Sequence, residues 1–189
     1  AAQFLLSFPS SWPLWILLLL WLYAWLHRDP ARDISADPLA IVGPVDGRVM
    51  HIAQCQDPLL ARTAQEVGIR KGILDLFHLR SPIEGTVHKI ALVSAKSKWQ
   101  RKGWYMPYAV WIQTDEKDDV VLLAEGARWM RRPRIYTQTG QRVGQGQRIG
   151  YAPFAHTFSV YFPENAKLAC VVGYSIQGGS SIIARFTHN

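Results

Sequence analysis

Few residues of this chain have both the type and the spacing that chemistry requires. Asp46 sits in Pro44-Val-Asp-Gly47, where a carboxylate serves either as a general base or as a turn residue. Asp75 leads into Phe77-His78, and Ala155-His156 is followed by the hydroxyls of Thr157 and Ser159. Gly179-Ser180-Ser181 places hydroxyls directly after glycine near the C-terminus. His51, His88 and His188 stand apart in sequence, and there is no H-E-x-x-H or C-x-x-C, so no metal site is expected. The glycine-rich stretch 140–150 has no G-x-x-x-x-G-K-[ST] and is no phosphate loop. Cys55 and Cys170 read as small apolar residues suited to a reducing compartment.

One stretch carries binding chemistry instead. Lys96, Lys98, Trp99, Arg101, Lys102 and Trp104 interleave cations with aromatic rings. That mixture suits nucleic acid, an anionic bilayer surface or a solvated loop. An apolar N-terminus favours the bilayer, and no nucleic-acid partner is expected.

The chain has 189 residues and a net charge of +7, yet its first 26 residues carry no charge. Half its residues are hydrophobic and only 19% charged, which excludes disorder. From Phe4 to Leu26 the sequence is almost wholly apolar, with Trp12, Trp15, Trp21 and Trp25 as lipid-contact candidates. A bilayer span needs about 20 apolar residues, so residues 1–27 are expected to form a transmembrane helix. Basic residues follow this run rather than precede it, unlike a signal peptide. Arg28 and Arg32 then predict a single pass through the inner membrane, N-terminus outside and the 28–189 domain cytoplasmic.

The remainder has β periodicity. Short segments rich in Val, Ile, Phe and Tyr occur at Ile41–Ile52, Gly85–Val93, Ala109–Gln113, Val120–Ala124, Phe158–Phe162 and Ala169–Val172. One short helix is expected near Leu59–Glu66. Two local patterns recur. Pro44-Val-Asp-Gly-Arg-Val49 matches Pro82-Ile-Glu-Gly-Thr-Val87, and Gly140–Ile149 parallels Gly173–Ile182 as G-x-x-[VI]-x-x-G. The expected fold is mainly β: a compact barrel-sandwich-hybrid-like domain behind one transmembrane helix.

These motifs resemble the phosphatidylserine decarboxylase family. His27-Arg-Asp-Pro-Ala-Arg32 and Ile41-Val-Gly-Pro-Val-Asp-Gly-Arg-Val49 are similar to its F-R-[ND]-P-x-R and I-V-[SG]-P-x-D-G-x-V. Leu74–Val87 looks like F-D-V-H-V-N-R-A-P-V-S-G-x-V, and Gly146–Pro163 like G-E-R-I-G-x-I-x-F-G-S-x-V-D-V-Y-L-P. The resemblance implies a chain that cuts itself at Gly-Ser, leaving a pyruvoyl group that forms a Schiff base with the substrate amine. In this chain Ala155-His156 stands where the family has Gly-Ser, and Phe77 where it has histidine; Asp46 is retained. An imidazole cannot undergo acyl shift and elimination to pyruvoyl, and a nucleophile–base unit fails as a whole. The expectation is therefore a pseudoenzyme without cofactor, an accessory or structural subunit of a membrane assembly. Its expected partners are the lipid bilayer and integral membrane proteins, a respiratory or photosynthetic complex being one reading. Two alternatives stay open. One is an active, pyruvoyl-dependent decarboxylase processed near Thr157 or at Gly179-Ser180. The other is a non-catalytic binder of anionic lipid.

Overall fold

The structure is a computed structural model, which describes residues 12–27, 32–72, 75–93, 107–125, 133–153 and 155–187. The basic–aromatic stretch (Lys96, Lys98, Trp99, Arg101, Lys102, Trp104) and His188 lie outside the described residues.

One helix, α1 (Trp12–His27), leads into a β domain. Its 16 residues rise about 24 Å, short of the roughly 20 residues and 30 Å of a bilayer core. No helix among the described residues is long and apolar enough to cross a membrane. The transmembrane helix and the single-pass, inner-membrane placement drawn from it are corrected accordingly. The sequence estimate counted residues 4–11 toward the span, and these lie outside the described residues. Trp12, Trp15 and Trp21 are exposed on α1, and Trp25 is half-buried.

The β domain is built from antiparallel pairs. Its main sheet, curled into a half-barrel, has eight strands in the order β13-β2-β3-β11-β7-β6-β5-β9. These are β13 (Ser175–Ile176), β2 (Gly47–Gln56), β3 (Thr63–Arg70), β11 (Thr157–Phe162), β7 (Asp119–Glu125), β6 (Tyr108–Gln113), β5 (Gly85–Leu92) and β9 (Arg142–Val143). Two three-stranded sheets flank it. One joins β1 (Ala40–Val42), β14 (Ile182–Arg185) and β12 (Lys167–Leu168); the other joins β4 (His78–Arg80), β10 (Arg148–Tyr151) and β8 (Arg134–Ile135).

Alternation along the central strands sorts side chains onto two faces. Phe158, Val160 and Phe162 of β11 join Val120 and Leu122 of β7 in the main core. Tyr161, Val121 and Leu123 point the other way, into a smaller cluster with Ala64 and Ala109. Both faces of β11 and β7 are thus buried, which explains their nearly continuous apolar runs.

The recurring motifs define two half-units with the same pairing. In one, Gly47 and Arg48 face Ile176 and Ser175; in the other, Gly85 and Thr86 face Val143 and Arg142. The strands before these turns pair likewise, β1 with β14 and β4 with β10. All four glycines that open and close the G-x-x-[VI]-x-x-G units, Gly140, Gly146, Gly173 and Gly179, have positive φ. The half-units interlock through Val42 N–H on Pro82 O and Arg80 N–H on Pro44 O, both at 2.8 Å.

Three sequence expectations change. Leu59–Glu66 is not a helix: Asp57 Oδ1 accepts from the N–H groups of Leu59 and Leu60, Ala61 turns at φ 53°, and β3 begins at Thr63. A carboxylate capping one turn mimics a helix start, and the chain then reverses into a hairpin. Ile41–Ile52 splits into β1 and β2 because Gly43-Pro44 interrupts the ladder. Ala169–Val172 is no strand; a turn closed by Tyr174 N–H on Val171 O, with Gly173 at φ 88°, reverses the chain there.

Candidate functional site

The ends of β2, β3 and β11 meet at one point. Arg48 pairs with Arg70 across β2–β3, and Arg70 with Thr157 across β3–β11. Asp46 lies just before β2, Lys71 just after β3 and His156 just before β11. Lys71 N–H donates to His156 O at 2.8 Å. The fold therefore gathers Asp46, Phe77, Ala155 and His156, far apart in sequence, around Lys71.

Asp46 is fully engaged. Its Oδ2 accepts from Arg32 Nη2 at 2.7 Å and its Oδ1 from Gly178 N–H at 2.7 Å. The carboxylate thereby ties the entering chain to the β13–β14 turn, a larger task than a local turn residue performs. Gly179 N–H donates to Gly43 O in the same turn, and Ser180 N–H to Gln177 O. The alternative processing pair Gly179-Ser180 is thus one residue from the Asp46 contact.

Phe77 is buried, packed edge-on against Tyr151 with centroids 5.8 Å apart. Lys71 Nζ stands 4.5 Å from its ring centroid. Ala155 is buried, and the His156 side chain is exposed. Thr157 and Ser159 continue β11; Ser159 is buried and its hydroxyl bonds Glu66.

A cavity of about 670 Å3 opens here, lined by Arg32, Arg48, Arg70, Lys71, Asp46 and Asp75 among others. Four cations face two carboxylates. Arg48 and Arg70 stand directly opposite each other, and neither side chain has an ion pair or hydrogen bond among the described residues. Like charges in directly opposed positions destabilise a sheet unless an anion lies between them. Burial pulls the Lys71 amine down to about 8, against the opposing fields of Asp75 and Asp46.

A second polar cluster lies farther along the sheet and corrects the view of His51 as isolated. His51 Nε2 is 3.2 Å from Glu66 Oε1, Tyr161 Oη donates to the same oxygen at 3.1 Å, and Cys55 Sγ lies 3.5 Å from Oε2. Gly68 makes room: a Cβ there would lie 2.0 Å from His51 Cε1. Burial and the Glu66 charge push the Cys55 thiol up to about 12, so it is no nucleophile at neutral pH. His88 stacks on Trp111 with centroids 4.9 Å apart. Among the described residues no group of His, Cys, Asp or Glu could hold a metal ion.

Sequence reasoning missed Lys71, Arg48 and Arg70. The adjacent cations Arg70-Lys71 at a strand end were the available signal; their opposition to Arg48 depends on strand register.

Interlocked turn–strand half-units on a curled antiparallel sheet, with a cavity lined by four cations and two carboxylates at the strand ends, define the class of this β domain. Within that class, the chain belongs to the phosphatidylserine decarboxylase family, whose sequence profile matches residues 19–184. It is 28% identical to a phosphatidylserine decarboxylase proenzyme of Burkholderia lata over 94% of this chain and 84% of that one. A proenzyme of the same description from Nitrosomonas eutropha is 27% identical over 97% of this chain and 86% of its own. No solved structure matches the chain.

Proposed function

We propose that this chain is a member of the family that does not process itself and that binds the headgroup of an anionic phospholipid without transforming it. The observation that carries the binding reading is the Arg48–Arg70 pair at the rim of the cavity, two opposed guanidiniums lacking a carboxylate partner among the described residues. Guanidinium groups suit phosphate and carboxylate because they present paired donors. The turn carrying Val171 and Val172, both more than 60% exposed, adjoins this rim through Gly173 N–H on Val49 O. Apolar side chains beside a cationic mouth suit the boundary between lipid headgroups and acyl chains.

The inert reading rests on Ala155-His156, on Phe77 and on an Asp46 whose two oxygens are already bonded. The purified chain is expected to give one species at 21.4 kDa, unchanged by hydroxylamine. Two fragments, cut at Gly179-Ser180 or near Thr157 and carrying a 2-oxoacyl-blocked new N-terminus, would establish the decarboxylase alternative instead.

Binding is tested with the full chain and vesicles. Retention on vesicles containing anionic lipid should exceed that on neutral ones and fall as salt rises. Replacing both Arg48 and Arg70 by glutamine should weaken it about 30-fold, from roughly 1 kcal/mol per cation. Equal retention on neutral vesicles would overturn the headgroup reading. The accessory-subunit expectation rests on the exposed apolar surface of α1, and copurification of a stoichiometric partner from mild detergent is its test.

A further inference from the structure

The cavity contains a group that headgroup binding does not use. Lys71 follows β3 immediately and is only 3% exposed, yet it lines the cavity. Its Nζ reaches two backbone oxygens at long range, Gly72 O at 3.4 Å and Asp75 O at 3.3 Å. No carboxylate among the described residues is within hydrogen-bond distance of it. Asp75 accepts instead from Gly72 N–H at 2.6 Å. The Phe77 ring covers the amine, its centroid 4.5 Å from Nζ, a cation–π contact that offsets only part of the cost of burying the charge. The amine is therefore buried with a ring face, two long backbone contacts and only the indirect fields of Asp75 and Asp46 to support its charge.

Such an environment raises the fraction of neutral, nucleophilic amine, as in lysines that form Schiff bases. The lowered basicity of Lys71 agrees with this geometry. The unpartnered guanidiniums of Arg48 and Arg70 line the same cavity, whose 670 Å3 falls in the range of small-molecule sites. An electrophile held there would have an anionic end for the arginines and a carbonyl carbon for the amine.

We propose that Lys71 is a covalent capture site for a small anionic carbonyl compound, of the 2-oxo-acid class. The neutral amine adds to the carbonyl carbon, forming a C–N bond and a carbinolamine. Loss of the former carbonyl oxygen as water then gives the imine. The net change is amine plus carbonyl to imine plus water, with no oxidant or reductant. Asp46 and Asp75 are the carboxylates lining the cavity, and their fields favour the protonated, cationic imine. The proposal shares only its arginine pair with the headgroup reading.

The test uses the full chain, pyruvate as probe and cyanoborohydride, which reduces the imine to a secondary amine. Peptide mapping by mass spectrometry should find a gain equal to the mass of pyruvic acid less one oxygen atom. Labelling of Lys71 should run about tenfold or more ahead of the exposed Lys89, Lys117 and Lys167, as the more neutral amine requires. A neutral ketone such as acetone should label Lys71 less than pyruvate does. Lys71→Arg should lose that adduct but keep binding to anionic vesicles, and Arg48→Gln should slow labelling while Lys71 is intact. Labelling of Lys71 no faster than that of exposed lysines would overturn the proposal, and mapping the unmutated chain decides this whether or not the variants fold. Failure of vesicle binding alone would overturn only the headgroup reading.

Discussion

Replacing Glu66 by alanine is expected to cost about 3–5 kcal/mol of folding stability, a large part of the 5–15 kcal/mol typical of a domain. Glu66 is 4% exposed and serves His51, Tyr161, Ser159 and Cys55 at once. Its removal leaves their donors buried without an acceptor, in addition to opening a cavity. Glu66→Gln keeps the shape and an acceptor oxygen, so its loss should be nearer 1–2 kcal/mol. The acid limb should also change. Burial raises the Glu66 carboxyl, but hydrogen bonds from His51 and Ser159, the attraction of His51 and the Tyr161 hydroxyl outweigh it and hold the group below its ordinary 4.5. A carboxylate whose folded value is depressed contributes stability above its unfolded value and loses it as pH falls through the folded one. Urea unfolding of the parent should therefore weaken below about pH 4.5, and Glu66→Gln should remove this share of the decline. A Glu66→Ala unfolding free energy within about 1 kcal/mol of the parent's would overturn this account of the network. Glu66 lies four residues before Arg70, roughly 13 Å along β3, so the Glu66→Gln change should leave anion binding intact.

The second large effect concerns the paired glycines at the starts of β2 and β5. A Cβ on Gly85 would lie 2.2 Å from Gln113 O, and one on Gly47 2.4 Å from Arg70 O. Both obstacles are backbone atoms of a neighbouring chain segment, so relief requires moving a strand rather than a side chain. Gly85→Ala and Gly47→Ala should each cost about 3 kcal/mol, at the upper end of overpacking penalties. For a chain of this size that is a fall of roughly 6–12 °C in Tm. Gly140→Ala is the control: at φ 87° with no atom within 4 Å of a Cβ, it should cost only about 1 kcal/mol. Equal shifts for Gly85 and Gly140 would refute the close-approach account. Gly47→Ala should also disturb anion binding, since it separates Arg70 from the strand that carries Arg48.

The short-range pattern of this chain carried its β character, its repeated turns and the positions of Asp46, Phe77, Ala155 and His156. Those features depend on neighbouring residues: a glycine corner, an alternating strand, a motif with one residue exchanged. The hairpin at Asp57–Arg62 misled because a side-chain cap produces the same local signal as a helix start. The Arg48–Arg70 opposition depends on register, which shifts at Val49/His51 where the imidazole lies over Gly68. The Lys71 pocket depends on Phe77 and on the direction Asp75 takes, contacts made only once β3 and β4 are in place.

The interlocked half-units also bear on how the chain is made. Ala40 pairs with Arg185 and Arg48 with Ser175, so strands far apart along the chain complete each other. On the ribosome, β1 emerges long before β14 exists, and one edge of β2 waits for β13. Closure therefore waits for the later strands and is slow, because distant pairings must be brought together against chain entropy. Until then the nascent chain carries open strand edges as well as the apolar surface of α1, the state in which chaperones are most needed.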